Sequence, residues 1–202
     1  AKDVNGDGLS ESAADFPTVG GKSQPTSWAD LSLNSNLLTQ SDLSKQPVYL
    51  VQGGLPVLAF GGTQGNSGAY MTGSMPSSFA GNSGFTMVVA MASTGTTADR
   101  VFSFGSPSGT GGQTIGLGRD GGFYFNNGQN LFYSSLNAPV QVGTFRRKAG
   151  TAYGDSEFML NGATLIGTSS TGSPNLPSSG GEMLLGMGRS TSGALVNPLS
   201  AK

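Results

Sequence analysis

From residue 48 onward, short apolar runs are separated by Gly, Asn, Asp, Ser and Pro. The run Phe85–Met91 (FTMVVAM) sits at the centre of this pattern and carries no charge. In an extended conformation Phe85, Met87, Val89 and Met91 fall on one face, and Thr86, Val88 and Ala90 on the other. Both faces are apolar or nearly so, which predicts a central strand covered on both sides.

The same reading predicts strands at Val48–Val51, Pro56–Phe60, Ala69–Thr72, Arg100–Phe104, Thr114–Gly118, Phe123–Phe125, Leu131–Tyr133, Val140–Arg147, Glu157–Leu160, Thr164–Thr168 and Glu182–Met187. Asp120-Gly121, Asn126-Asn127-Gly128 and Asn161-Gly162 lie between neighbouring runs and predict hairpins. Residues 17–47 are polar apart from Trp28, Leu31, Leu33, Leu37 and Leu38, and read as a loop packed onto the strands. About a dozen short strands and no convincing amphipathic helix predict an all-β fold: a two-sheet antiparallel β-sandwich or jelly roll.

Composition narrows the classes of function. A chain of 202 residues buries about 70% of its unfolded surface, enough for one core. Charged residues make up 10%, and Gly numbers 34, so solubility rests on hydroxyls and amides. The formal net charge is −1. No basic cluster is large enough to hold a phosphate backbone, which argues against nucleic acid as a partner. Cys and His are both absent. Their absence removes disulfides, thiol chemistry, Cys- or His-based metal sites and the Ser-His-Asp triad. No apolar run approaches the roughly 18 residues of a membrane-spanning helix. The Gly/Ser/Thr/Asn bias suggests an extracellular, cell-surface or virion-surface location.

Residues 1–16 form an acidic N-terminal segment, set apart from a domain over 17–202. Asp3, Asn5 and Asp7 alternate and Gly8 follows, as in the first half of a calcium loop. Leu9 supplies a carbonyl and Glu11 occupies the ninth loop position. Ala14 stands where a bidentate carboxylate belongs, with Asp15 one residue late. The half-motif resembles dockerin and thrombospondin-type calcium loops before departing from them. Two readings stay open: a Ca²⁺ site built from Asp3, Asn5, Asp7, Leu9, Glu11 and Asp15, or a solvated Asx-rich turn.

Other candidate chemistry is sparse. Gly116-Leu117-Gly118-Arg119-Asp120-Gly121 fits G-x-G-x-x-G, but a strand follows it instead of the helix a dinucleotide site needs. Asp155 and Glu157 would share a strand face about 6.5–7 Å apart. That separation suits a glycosidase pair, yet the position beside a hairpin predicts solvated charges. Arg146-Arg147-Lys148 reads as a solvated strand end. Sugar stacking has four aromatic candidates: Tyr124, Tyr133, Tyr70 and Trp28. Tyr124 ranks first, because it alternates with Phe123 and Phe125 and so faces away from them. Trp28 reads first as an anchor in the core, and only second as a stacking residue.

Several segments, in order, resemble the concanavalin A-like superfamily and its laminin-G-like branch. Trp28-Ala29-Asp30-Leu31-Ser32 resembles "W-x-D-x-S". Pro56-Val57-Leu58-Ala59-Phe60-Gly61-Gly62 resembles "PVLRFDG", with Gly61 in place of Asp. Phe85-Thr86-Met87-Val88-Val89 resembles the "FT-hydrophobic" strand, and Val101-Phe102-Ser103-Phe104-Gly105 resembles "LFSxG". Phe158-Met159-Leu160-Asn161-Gly162 resembles "LYVNG", and Met183-Leu184-Leu185-Gly186 resembles "LxLG". The resemblance implies two curved antiparallel sheets packed face to face. It also implies roles from carbohydrate binding and adhesion to purely structural modules, such as those of extracellular bacterial proteins and phage surfaces. The acidic E-x-D-x-x-E strand of the family's glucanases is absent. So is the family's closing strand: Gly186 leads into GMGRSTSGALVNPLSAK, where Ala194-Leu195-Val196 is a poor substitute. Two expectations stay open: the chain is truncated, or it leaves an open sheet edge to be covered by a strand of another chain.

The function expected is that of a non-catalytic extracellular or particle-surface binding or adhesion module, directed at glycans. The alternative is a structural decoration or fibre component of a virion or extracellular assembly, with other protein chains as its partners.

Overall fold

The structure is a computed structural model. It describes residues 16, 18–29, 36–61, 68–79, 81, 83–91, 100–106, 114–118, 123–125, 129–132, 141–147, 156–165, 180–189 and 194–196. These residues form antiparallel strands with almost no helix, so the all-β class holds. The first strands are β1 (Thr18–Val19), β2 (Lys22–Ser23), β3 (Ser27–Ala29), β4 (Leu37–Thr39), β5 (Val48–Gln52), β6 (Leu55–Ala59) and β7 (Met71–Ser74). The middle of the chain gives β8 (Phe85–Met91), β9 (Arg100–Gly105), β10 (Thr114–Gly118), β11 (Phe123–Phe125), β12 (Gln129–Phe132) and β13 (Gln141–Arg147). The last are β14 (Ser156–Leu160), β15 (Ala163–Leu165), β16 (Glu182–Leu185), β17 (Gly188–Arg189) and β18 (Leu195–Val196). Short 3-10 turns occupy Leu43–Lys45 and Ser77–Phe79.

An eight-stranded sheet runs β12-β11-β10-β9-β16-β7-β4-β3, and a four-stranded sheet runs β15-β14-β13-β8. The pairs β1-β2, β5-β6 and β17-β18 form separate two-stranded sheets. Three predicted hairpin pairings are present: β10 with β11, β11 with β12, and β14 with β15. In the last of these, Asn161 (φ 49°) and Gly162 (φ 82°) both sit in the left-handed region. Two consecutive positive φ values match the twist of the flanking strands, which is why Asn-Gly is favoured there. The Asn161 side chain also accepts a hydrogen bond from the Val142 N–H at 2.8 Å, tying the turn to β13.

The two large sheets meet through phenylalanine. Phe85 of β8 lies 5.4 Å from Phe104 of β9, edge to face. It also touches Phe145 of β13 at 5.6 Å and Phe79 at 4.7 Å between ring centroids. Phe102, Phe104 and Phe145 are buried, and Tyr49, Leu58, Phe60, Ala69 and Met71 extend the same cluster. Such ring contacts add about 0.5–1.5 kcal/mol each beyond the area they bury.

Three sequence expectations need correction. The strand covered on both faces is β9, not β8. Val101, Phe102, Ser103 and Phe104 are all buried, and the Ser103 hydroxyl is satisfied by donating to the Met187 carbonyl at 3.2 Å. β8 instead ends the four-stranded sheet among the described residues. Its second face is open, with Val88 63% exposed. An uncharged β-branched residue fits an exposed pleated surface as well as a buried one, so hydrophobicity alone misplaced that face. The third correction concerns residues 17–47: far from being only a loop, they supply β1 to β4, and Trp28 sits in β3 at the end of the large sheet. Leu195–Val196 pairs with Gly188–Arg189 and joins neither large sheet.

Gly186 makes the turn out of β16 with φ 85°, and its N–H donates to the Val101 carbonyl at 2.7 Å. A Cβ there would run into the Phe60 ring and come within 2.9 Å of the Ala69 carbonyl oxygen. Gly186→Ala is expected to cost about 2–4 kcal/mol, from left-handed strain plus overpacking. Phe104→Ala should cost about 3–5 kcal/mol, while Val88→Thr should stay within about 0.5 kcal/mol. Chemical denaturation curves rank the three, and a large loss at Val88 would contradict its exposed placement.

Candidate binding surface

The outer face of the four-stranded sheet is built by register. β13 pairs with β8 on one side and β14 on the other, and β14 pairs with β15. Residues directly opposite share a face. One row therefore runs Thr86, Arg146, Glu157, and the next runs Val88, Thr144, Met159, Thr164. Ala90 and Val142 begin the third. Val88 and Val142 are 63% and 39% exposed, and Thr86, Ala90 and Thr164 are also exposed.

Charge is confined to the first row. The Arg146 guanidinium meets the Glu157 carboxylate at 2.7 Å, with both side chains more than a third exposed. Such a pair contributes at most about 1 kcal/mol. It engages Glu157 with a cation on the neighbouring strand; Asp155 lies outside the described residues. The rest of the face offers methyl groups, hydroxyls and a thioether. That surface binds by excluding water and by shape. It adjoins the edge of β8, whose sole hydrogen-bonded neighbour among the described strands is β13.

Of the aromatic candidates, Trp28, Tyr70 and Tyr124 lie outside the four-stranded sheet. Trp28 pairs with Leu38 in register, is half-buried, and packs against the phenylalanine cluster. Tyr70 precedes β7 and is half-buried. Its backbone N–H donates to the Lys45 carbonyl at 2.9 Å, and its carbonyl accepts from Gln40 Nε2 at 3.2 Å. Tyr124 lies in β11, in a register row with Asn130, Gly116, Ser103 and Leu184. The neighbouring positions Phe123 and Phe125 align instead with Leu117 and Ile115, and through them with Phe102 and Phe104. From β11 to β3 is six strand steps, about 29 Å, so Tyr124 and Trp28 belong to opposite ends of the sheet. Tyr133 and the calcium-loop residues Asp3, Asn5, Asp7, Leu9, Glu11 and Asp15 lie outside the described residues.

Tyr70 is positioned by a buried glutamine cluster that composition gives no reason to expect. Gln24 Nε2 donates to the carbonyls of Leu43 and Gln46, each at 3.3 Å. Gln46 Nε2 donates to the Gln40 carbonyl at 2.7 Å, and Gln40 Oε1 accepts from the Asp42 N–H at 3.1 Å. Asp42 caps the turn Leu43–Lys45, and the Ser44 hydroxyl and N–H it accepts hold its carboxyl below the ordinary value. Buried amides used this way replace a strand ladder along an irregular segment.

Comparison with known proteins finds no matching family model, no matching curated protein and no matching solved structure. Among the described residues, no helix is long and apolar enough to cross a membrane.

Gln40→Ala is expected to destabilise the chain by about 1–3 kcal/mol, because the Tyr70 carbonyl and Asp42 N–H lose a buried partner. Fluorescence of Trp28, the only tryptophan, follows the unfolding. A midpoint equal to that of the parent chain would show the clamp to be dispensable.

Proposed function

We propose that this chain is a non-catalytic β-sandwich module of laminin-G-like, jelly-roll type that works at an extracellular or particle surface by holding other protein chains. The observation that carries this reading is the open outer face of β8 and β13, where Val88 and Val142 lie exposed and β8 is the edge strand among the described residues. Natural sheets blunt such edges with charge, proline or bulges. β8 has none of these: it is uncharged, lacks proline, and pairs with β13 without a break in register. The phenylalanine contacts between the sheets support the sandwich architecture. Non-catalytic use fits a surface whose one ion pair is structural in character.

A second reading, glycan binding, is favoured by one feature. Tyr124 stands between Gly116 and Asn130 in its register row, a residue without a side chain and one with an amide. An aromatic residue and an amide residue at paired strand positions supply the residue types a sugar subsite uses. Ca²⁺ held by Asp3, Asn5, Asp7, Leu9, Glu11 and Asp15 belongs to the same proposal and rests on their sequence spacing.

Light scattering on the purified chain, and on any native particle containing it, tests the first reading. A discrete oligomer or co-migration with a larger particle is expected; a single chain that joins nothing overturns it. For the second, a glycan array with the parent chain and Tyr124→Ala should show binding that the variant loses. Melting with Ca²⁺ or a chelator should differ by several degrees if the loop is occupied.

A further inference from the structure

The proposed assembly role leaves the partner at the β8 edge undefined, and the following inference rests on that role. We propose that the occupant is a second copy of this chain, joined β8 to β8 in antiparallel register about a two-fold axis at Val88. Three observations lead there.

The first is incomplete burial on the core side of β8. Met87 and Phe145 are register partners on the inner face. Phe145, one strand inward, is 2% exposed, whereas Met87 and Val89 remain half-buried although both pack against the core. The core thus continues to the rim of the sheet and stops there among the described residues. The second is the outer face, where Val88 is 63% exposed in mid-strand. The third is the strand's own sequence. Antiparallel pairing centred on Val88 sets Phe85 opposite Met91, Thr86 opposite Ala90, and Met87 opposite Val89, with Val88 opposite Val88 of the second copy. Every pair is apolar or nearly so, no charge meets a like charge, and the inner and outer faces stay in phase.

A two-fold interface must be self-complementary, since each residue meets the image of its partner. β8 satisfies this without help from any other segment. Pairing joins two four-stranded sheets into one, in the order β15-β14-β13-β8-β8-β13-β14-β15. Its central outer row reads Thr144, Val88, Val88, Thr144. Met87 and Val89 of the two copies then cover one another, extending each core across the axis. An open strand edge is matched by another strand, whose N–H and C=O groups recur at the ladder spacing. A strand of opposite charge has nothing on β8 to recognise.

The test uses charge at the axis. Val88 is exposed in the single chain, so Val88→Lys and Val88→Glu should keep the circular dichroism and melting of the parent. Each places two like charges opposite one another at the axis, and each should weaken self-association about tenfold or more. An equimolar mixture of the two variants should restore the parent mass by light scattering, because only the mixed pair brings opposite charges together. The chain has no cysteine, so Val88→Cys should give a disulfide-linked dimer on oxidation, whereas Thr164→Cys at the far edge should not.

An oligomer that neither charged variant weakens, or whose Val88→Cys form cross-links no faster than Thr164→Cys, overturns β8 self-pairing and leaves the assembly role standing. A parent chain that remains at 20.4 kDa yet joins a larger particle does the same. A chain that remains single and joins nothing overturns both.

Discussion

The contact between Phe85 and Phe104 is the constraint on which the rest of the structure depends. It is where the four-stranded sheet meets the eight-stranded one, 5.4 Å between ring centroids. Phe79 and Phe145 close around it from the two sides. Tyr49, Leu58, Phe60 and Met71 extend the cluster that this contact anchors. Once Phe85 is fixed inward, alternation along β8 turns Thr86, Val88 and Ala90 outward. The register with β13 then determines the whole outer face. The candidate surface is thus the reverse side of the core: the same pleat that buries Phe85 presents Val88.

Much of the strand pattern was legible in the sequence. Phe85–Met91, Thr114–Gly118 and Phe123–Phe125 fall where their apolar runs predict, and Asn161-Gly162 makes the turn its residues favour. Local signals of this kind depend only on neighbours in the chain. Which strand lies at the centre does not. RVFSF contains a serine and an arginine, so it reads as less buried than FTMVVAM. Yet Ser103 is enclosed because the Met187 carbonyl, 84 residues away in sequence, accepts its proton. A hydrogen bond to so distant a partner leaves no local trace.

The segment before residue 47 was read as a loop for a related reason. Its strands are two or three residues long, too short to show a period. Much of its order comes from Gln24, Gln40 and Gln46 bonding to backbone carbonyls. Glutamine in a polar stretch looks solvated until the fold encloses it. The candidate site was legible only in its residue types. Val88, Val142 and Thr144 were visible as strand formers, but their exposure is a property of the paired sheets. Of the aromatic residues read for sugar stacking, Tyr124 and Trp28 are separated by the strand order, which sequence spacing does not reveal.

Strand order also bears on how the molecule is made. β16 is inserted between β9 and β7, so a strand far downstream of both in sequence becomes an interior member of the large sheet. Gly73 shows how closely the neighbouring β7 and β4 approach: a Cβ there would collide with the Leu37 carbonyl oxygen. During synthesis, β7 and β9 emerge long before the strand that joins them. The nascent chain must carry two unzipped edges until residue 185 is available, a non-local closure of the kind that slows folding. Closure of the sheet therefore waits on a strand far downstream of the two it joins. For that interval, protection from aggregation falls to the ribosome's surroundings and not to the fold.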